Sequence, residues 1–395
     1  MIEYRRHSIR LDPTPAQEEL FRKCVGTARF AYNYALAQWR EQYQAGLKPN
    51  ERNIRKQLNA EKRNLYPWML EVPKMVPQQA IINLGGAFSR FFAKENRYPK
   101  FKSKHTSRQS ARLDNGPGTF SFDGCTVKLH KAGRVKTFEE FRWPESRPIS
   151  TMLRYEAGRW FLSVTAEIEK QDRCENQASV GVDLGLTSAI TLSTGEKFQS
   201  PRPLRANLKK LRIANRRLSK KVKGSQNRKK QALKVARLHH HIKQIRRDWT
   251  HKITTDIAAR FGLVCMEGLD VKSMAGNRHL SQAISDVGWG SIVRDLSYKT
   301  KVVQVDKFFP SSKLMSCCGV KLESLPLSVR EVECPLCGII CDRDLNAAIN
   351  IHREGQRINT ASCAEINACG EDTGSEPLRK YRLKPTSMKQ EPLVA

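Results

Sequence analysis

The chain has 395 residues, 39% of them hydrophobic, and carries 70 Lys and Arg against 39 Asp and Glu, a formal net charge of +31. This length predicts two or three domains, and the sequence has no apolar run near the roughly 18 to 20 residues that a membrane-spanning helix requires. The excess of positive charge favours a polyanionic partner, and nucleic acid fits better than an anionic membrane because no basic amphipathic helix adjoins an apolar anchor.

The N-terminal sequence and the cysteine content indicate the compartment. MIEYRRHSIRLDP has no apolar core of a secretory signal, so we expect a cytosolic protein. The eleven cysteines are an odd number, and in a reducing compartment we expect them to be thiols or metal ligands and not a disulfide framework.

The first long elements of the chain are predicted helices. Residues 14–47 place apolar side chains at helical spacing after Thr14, a candidate N-cap. A second helix is predicted over 50–64 and a third over about 77–95. Together they predict a helical domain within residues 13–112.

Alternating apolar and polar residues between about 119 and 170 predict short antiparallel strands, separated by turns such as Asp-Gly and Ala-Gly. Residues 1–12 alternate in the same way and are expected to join this sheet. We therefore predict a small β-barrel built from residues 1–12 and 113–177, with the helical domain inserted between its strands.

The most basic segment covers residues 205–252, with eighteen Lys and Arg and one acid, Asp248. Apolar residues at helical spacing and the break KGSQN at 223–227 predict a helical hairpin. A solvated charged face is the alternative, but such faces usually mix both signs, so a surface that tracks phosphates is favoured. The hairpin residues predicted to contact nucleic acid are Lys209, Lys210, Arg212, Arg216, Arg217, Lys220, Lys221, Arg228, Lys229, Lys230, Arg246 and Arg247.

Three acids stand at the ends of apolar elements. Asp183 follows VGV, Glu267 follows LVCM, and Asp344 opens the predicted helix DLNAAINIHREG. A strand end can direct one carboxylate out of a sheet, and the first turn of a helix favours an acid. For each acid alone, a helix cap or a surface carboxylate is the alternative, and Asp342 competes with Asp344.

Carboxylates brought together need cations between them. Oxygen ligands of this kind select Mg²⁺ or Mn²⁺, and two such ions are the usual means of hydrolysing a phosphodiester. The pattern therefore predicts a metal-dependent nuclease, if the three acids converge.

Five segments, in this order, carry a family resemblance: VGVDLGLTSAITLSTGEKF, LVCMEGLDVKSM, SDVGWGSIVRDLSYKT, VVQVDKFFPSSK and CPLCGIICDRDLNAAINI. They resemble the TnpB (OrfB) proteins of bacterial insertion sequences, RNA-guided DNA endonucleases related to the type V CRISPR effectors. FRKCVGTARFAYNYAL is similar to the opening helix of that family, and the resemblance covers most of residues 1–355.

The resemblance implies an α/β multidomain protein: an RNase H-like RuvC nuclease domain with a zinc-ribbon insertion, and a small wedge β-barrel interrupted by a helical recognition domain. Asp183, Glu267 and Asp344 fall on the three acids of the family's nuclease. The implied limits are wedge 1–12 and 113–177, recognition 13–112, nuclease 178–313 and 342–362, and zinc ribbon 314–341. Residues 363–395 are expected to be a disordered tail.

The resemblance also implies the partners, which are a guide RNA transcribed from the end of the element and target double-stranded DNA beside a short flanking motif. We expect a monomer with one RNA in the bacterial cytosol, near the nucleoid. Lys74, Gln78 and Gln79 resemble the family's contacts to the flanking motif, and Gln can pair with adenine. An ordinary helix surface is the alternative for both glutamines.

The cysteine pattern departs from the two Cys-x-x-Cys pairs of the family. Cys334 and Cys337 are intact, but upstream only Cys318 is in place and Met315 stands where the first ligand belongs. Three alternatives follow, in which Cys317 replaces the missing ligand, Cys341 does so, or the ribbon binds zinc weakly. We expect Zn²⁺ bound by Cys318, Cys334 and Cys337 with Cys317 as the fourth ligand.

Two other functions remain open from the sequence. One is a guided DNA-binding repressor of transcription that does not cut, against which the three intact acids argue. The other is an unguided transposase or nuclease that reads DNA through the cysteine ribbon.

Overall fold

A computed structural model describes residues 2–114, 120–169, 178–326 and 328–368. The chain divides into two compact units, the first made of residues 1–175 and 201–248 and the second of residues 176–200 and 249–395. This division differs from the predicted domain limits, since most of the basic hairpin groups with the N-terminal residues and not with the segments around Asp183 and Glu267.

The first unit contains a seven-stranded antiparallel sheet in the order β2-β6-β7-β1-β5-β4-β3. Its strands are β1 Ile2–Asp12, β2 Gln109–Asp114, β3 Phe120–Asp123, β4 Thr126–Leu129, β5 Gly133–Thr137, β6 Arg147–Glu156 and β7 Arg159–Glu169. β1 pairs with both β7 and β5, which confirms that the N-terminal strand joins this sheet. The described residues show no pairing between the outer strands β2 and β3, so closure into a barrel stays a prediction.

Three helices lie in the chain between β1 and β2. They are α1 Pro15–Gln44, α2 Glu51–Glu61 and α3 Met75–Phe92, with a short 3-10 helix at Pro67–Glu71. Thr14 caps α1 as predicted, in a capping box that Gln17 completes. Phe21 and Phe88 from the helices share one core with strand residues such as Leu162, so the predicted insertion of a helical segment into the sheet is confirmed.

The predicted basic hairpin is also present, as α4 Pro203–Ser219 and α5 Gln226–Arg260. The Arg228 guanidinium donates to the carbonyl oxygens of Leu218, at 2.8 Å, and Lys221, at 3.0 Å. It thereby satisfies backbone groups at the C-terminal end of α4. Lys243 of α5 pairs with Glu156 of β6 at 2.7 Å, a contact that explains why this part of the hairpin groups with the first unit.

The second unit has a mixed five-stranded sheet in the order β10-β9-β8-β11-β12. Its strands are β8 Ser179–Asp183, β9 Ile190–Leu192, β10 Lys197–Phe198, β11 Leu263–Glu267 and β12 Lys301–Val305. β11 runs parallel to both β8 and β12, whereas β9 is antiparallel to β8. The remaining elements are α6 Val271–Met274, α7 Ser281–Val287, α8 Trp289–Lys299, the hairpin β13 Glu331–Glu333 and β14 Ile340–Asp342, and α9 Arg343–Ala368.

Helix α9 is longer than the sequence predicted. It continues to Ala368, so residues 363–368 are helical and the predicted disordered tail begins too early. Residues 369–395 lie outside the described part of the chain. Of the helices that the structure describes, none is both long and apolar enough to cross a membrane.

Candidate active site

Two of the predicted acids lie at the ends of neighbouring strands. β8 and β11 are parallel with Val182 opposite Met266, so Asp183 and Glu267 follow at the same edge of the sheet. The residues before each acid are buried, as expected for central strands covered on both faces. The sheet therefore brings together two acids that are far apart in the sequence.

Helix α9 carries the third acid, Asp344, in its first turn, and glycines let this helix lie close to the strands. A Cβ on Gly181 of β8 would collide with the backbone oxygen of Ala348 and lie 2.7 Å from the Cβ of His352. A Cβ on Gly355 of α9 would collide with Cys265 of β11. Both contacts require the absence of a side chain, so these glycines set the distance between α9 and the sheet.

The three acids interact electrostatically. Burial, followed by the negative charges of Asp344 and Glu267, raises the pKa of Asp183 to about 7, against smaller opposing effects. Burial also raises the pKa of Glu267. Asp344 and Glu267 thus both lie close enough to Asp183 to disfavour its ionisation, which is the electrostatic condition that bound cations relieve.

The spacing of these acids limits how they can hold metal. Within the described part of the chain, only one group of three or more His, Cys, Asp or Glu side chains has all its ligand atoms within 4.8 Å of one another, and it consists of four cysteines. The three carboxylates are therefore spread more widely than the ligands of one ion. Two ions about 4 Å apart would distribute their ligands over such a distance.

Asp342 has contacts that separate it from Asp344. Its Oδ1 accepts from the backbone N–H of Leu345 at 2.9 Å, which is a helix-capping contact. Its Oδ2 pairs with the Nζ of Lys197 at 2.7 Å. Burial raises the pKa of Asp342, but the Lys197 and backbone hydrogen bonds lower it by more, so the net pKa lies below the ordinary value.

Arg330 also reaches this site, and the sequence did not predict it. Its Nη1 lies 3.4 Å from Oδ1 of Asp344, and its Nη2 donates to Oγ1 of Thr187 at 3.2 Å. Arg330 lies in the cysteine-containing segment just before β13. Because the chain has 70 Lys and Arg, no local signal distinguishes this arginine from the others.

The four predicted cysteine ligands form one cluster. Cys318 lies 3.0 Å from Cys334 and 3.7 Å from Cys337 between sulfur atoms, and Cys317 lies 3.4 Å from Cys337. A tetrahedral zinc with Zn–S distances of about 2.3 Å places its sulfurs about 3.8 Å apart, so these four sulfurs are close enough to share one ion after small side-chain rotations. Cys341 is not in the cluster and contacts the carbonyl oxygen of Val332 instead.

Met315 lies in the turn at the position where the first cysteine ligand was expected, but its side chain is not part of the cysteine cluster. Gly319 N donates to Met315 O at 2.8 Å, just as Gly338 N donates to Cys334 O at 2.9 Å. Both glycines have positive φ, so the two turns are built alike. The Met315 side chain is fully buried in the apolar core of the ribbon, and Cys317 supplies the fourth sulfur from two positions later.

Two asparagines of α9 attach the cysteine segment to the helix. Asn346 accepts from Ser316 N and donates to Leu314 O, both at 2.7 Å. Asn350, one helical turn later, donates to Ser311 O at 2.9 Å. Both asparagines are buried, so the helix that carries Asp344 is bonded directly to the start of the ribbon.

The residues predicted to read a flanking motif lie at the start of α3. Lys74 is exposed and precedes the helix, and Gln78 is half-buried. Gln79 is buried and donates from Nε2 to Oδ1 of Asn83 at 3.2 Å. The alternative of an ordinary surface position is therefore wrong for Gln79.

The residues predicted to contact nucleic acid on the hairpin are mostly exposed, with two exceptions. Arg246 is half-buried. Arg228 is half-buried and bonded to carbonyl oxygens at the end of α4. Nη1 of Arg228 therefore has a structural role at the end of α4, and a contact of this residue with nucleic acid stays a prediction.

Three parts of the chain match known families. Residues 163–278 match the family described as "Probable transposase", residues 289–351 the family described as "Cas12f1-like, TNB domain", and residues 1–48 a "Helix-turn-helix domain". Over most of residues 1–48 the structure has one strand followed by one long helix.

Relatives match over nearly the whole chain. A protein from Streptomyces pristinaespiralis, named as a proposed RNA-guided DNA endonuclease, is 36% identical over 98% of this chain and 96% of its own. One from Escherichia coli K12 with the same description is 29% identical over 93% of this chain and 96% of its own. The Cas12f1 protein, solved with single-guide RNA and target DNA, shares the fold with a TM-score of 0.54 at 15% identity, over 86% of this chain and 83% of that one.

Proposed function

The chain belongs to the TnpB (OrfB) family related to the type V CRISPR effectors, and on this premise we propose that it is an RNA-guided DNA endonuclease encoded by a transposable element. In this proposal a guide RNA selects double-stranded DNA by base pairing, next to a short flanking motif that the protein reads. The relative of 36% identity, which spans nearly both whole chains, supports this assignment.

The observation that carries the proposal is the convergence of Asp183, Glu267 and Asp344 from three distant segments at one edge of the second unit's sheet. Their ligand atoms are all oxygens, which fits Mg²⁺ or Mn²⁺. Two bound divalent cations would supply an activated water and stabilise the leaving oxygen of a phosphodiester.

The side chains have distinct roles in this proposal. Asp183 interacts with both other acids, so it would be the central ligand for divalent cations at this site. Asp344 and Glu267 would supply the other carboxylate ligands. Arg330, now paired with Asp344, becomes available for the phosphate once that carboxylate binds a cation.

We propose that Cys317, Cys318, Cys334 and Cys337 hold one structural zinc ion. Four sulfur ligands in one cluster select Zn²⁺ over hard cations. Since Asn346 and Asn350 bond the ribbon to α9, the zinc site also stabilises the start of the helix that carries Asp344.

The positive charge of the exposed surfaces suggests where each nucleic acid binds. The exposed cations of α4 and α5 bind the backbone of the guide RNA or its heteroduplex, and the start of α3 reads the flanking motif with Lys74 and Gln78. In this proposal the chain acts as a cytosolic monomer with one RNA.

The test compares two neighbouring acids. The chain is purified with its guide RNA and incubated with Mg²⁺ and a matched DNA duplex that carries the flanking motif. Asp344→Asn should bind DNA normally but lose cleavage by about a hundredfold or more, since a metal ligand is removed. Asp342→Asn keeps a capping side chain and should cleave at nearly the parent rate.

The outcomes also separate the alternatives. Binding without cleavage by the parent chain would identify a guided repressor. Specific cleavage by chain that purifies free of RNA would identify an unguided nuclease or transposase. Equal loss of cleavage in both variants would remove the assignment of Asp344 as the metal ligand.

A further inference from the structure

A small, largely enclosed cavity lies between α1, α3 and β2 in the first unit. Its volume is about 50 Å³, whereas one water occupies about 10 to 15 Å³ in the same measure, so it has room for a group of several heavy atoms. The polar residues that line it are Arg29, Gln79, Asn83, Lys102, Ser107, Arg108, Gln109, Ser110 and Arg112.

The charge of this cavity has one sign. Four of its described lining residues are Lys or Arg, and none is Asp or Glu. Two of these cations, Arg29 and Lys102, have neutral neighbours. Nη1 of Arg29 donates to Oε1 of Gln109 at 3.3 Å, and Nζ of Lys102 lies 3.8 Å from the ring centre of Tyr32. Both contacts are weaker than an ion pair.

Arg112, which lines this cavity, has a donor without a partner. Its Nε is buried and has no hydrogen-bond partner among the described residues. Burial lowers the pKa of Arg112, and the positive charge of Arg6 lowers it further. Arg112 as a whole is half-buried, but a buried donor without a partner is costly.

We infer that this cavity binds a phosphate group through Arg29, Lys102 and Arg112, with the amides of Gln79 and Asn83 as additional donors. A tetrahedral oxyanion would satisfy the Arg112 guanidinium and place its charge against several cations at once. The phosphate is either a free ion or a phosphodiester of bound nucleic acid, and the second source rests on the proposed function.

The test uses inorganic phosphate and the full-length chain freed of nucleic acid. Melting temperature is measured against phosphate concentration at constant ionic strength, with chloride as the balancing salt. We expect a saturable, phosphate-specific rise in melting temperature. Arg112→Gln should weaken the apparent Kd by about tenfold or more, because a charge-assisted partner is lost.

Two further variants keep the test decisive. Arg29→Gln should also weaken phosphate binding and replaces Arg112→Gln if that variant does not fold. Arg97→Gln removes the same charge at an exposed position and should bind phosphate like the parent. Equal responses in all variants, or an equal rise with chloride alone, would overturn the inference.

Repeating the titration with saturating guide RNA distinguishes the two sources. Loss of the phosphate response shows that a phosphodiester occupies the cavity, and an unchanged response shows that the ligand is free phosphate. Because the first titration needs neither guide nor cleavage, its failure is separate from a failure of the proposed endonuclease activity.

Discussion

At the scale of residues, Asp342 and Asp344 show how neighbouring acids acquire different roles from their partners. Asp342 is engaged by Lys197 and by the N–H of Leu345. Asp344 faces Arg330 and acts on the ionisation of Asp183. A carboxylate that is already capping a helix has fewer free lone pairs for a metal, which favours the second acid of the DRD sequence as the proposed metal ligand.

The raised pKa of Asp183 predicts a dependence of stability on pH in the metal-free chain. Its pKa is about 7 in the folded chain against an ordinary 3.8, so the folded state binds this proton more tightly than the unfolded state does. The contribution of Asp183 to the free energy of unfolding is therefore fully present at low pH. It falls as pH rises from about 4 to about 7 and stays low above that.

The measurement is the melting temperature in EDTA between about pH 5 and about pH 8. We expect it to fall less in Asp183→Asn than in the parent, and Mg²⁺ near pH 8 to restore the parent more than the variant. Asp123→Asn, at an exposed position of β3, is the control and should follow the parent. A variant that declines as steeply as the parent contradicts the electrostatic argument.

The sequence predicts a site residue when the pattern that marks it lies in the neighbouring residues. Asp183 and Glu267 follow buried strands, and this pattern is visible without the fold. Arg330 contacts Asp344 only because the ribbon docks on α9, which no pattern around Arg330 indicates. The contact of Arg228 with carbonyl oxygens at the end of α4 has no local signal either, because the sequence shows only a basic residue among many.

At the scale of elements, the position of α9 on the sheet determines whether the acids meet. The helix contacts β8 where Gly181 lies against the backbone of Ala348. Because backbone meets backbone there, neither side can adjust by a change of rotamer. The sequence predicted both elements, but this contact is set by tertiary packing and could not be derived from either segment alone.

Gly181→Ala should therefore destabilise the chain and reduce cleavage. The added Cβ has to displace α9 from β8, at a cost of about 1–3 kcal/mol or more, and Asp344 moves with the helix. Gly86→Ala is the control, since a Cβ there meets only Arg90 at 3.9 Å and a helical position favours Ala. Chemical denaturation measures the stability difference, and equal stability of the two variants would refute the packing argument.

The ribbon predicts a specific pattern of zinc loss. Cys317→Ser should reduce bound zinc from about one ion per chain to nearly none at limiting metal, because three thiolates bind more weakly than four. Cys125→Ser, at an exposed position outside the ribbon, should keep its zinc. Metal content measured by elemental analysis checks this, and zinc loss in Cys341→Ser but not in Cys317→Ser would identify a different fourth ligand.

At the scale of the whole molecule, the net charge of +31 predicts a polyanionic partner but not where it binds. The antiparallel strands and the basic hairpin were predictable because their periodicities are local. The association of residues 201–248 with the first unit was not, since it depends on contacts such as Lys243 with Glu156. Exposed cations on several elements could each contribute to binding, so their shares have to be measured.

The salt dependence of RNA binding separates a local contact surface from the overall charge. Each phosphate contact contributes about 0.7 to 0.9 to the slope of log K against log salt concentration. Replacing Arg212, Arg216 and Lys220 of the hairpin by Gln should therefore reduce the slope by about 2 to 3. All three are exposed, so folding should be preserved.

The matched control replaces Lys94, Arg97 and Lys100 by Gln, which removes the same charge from exposed positions after α3. If the hairpin is the surface that follows the phosphates, the control changes the slope by less than about one contact. If charge acts only through the field of the whole molecule, both triple variants lower affinity equally, since a screened field depends on total charge and not on which element carries it. Equal slopes in the two variants would therefore remove the hairpin as a binding surface while leaving the acids of the second unit unaffected.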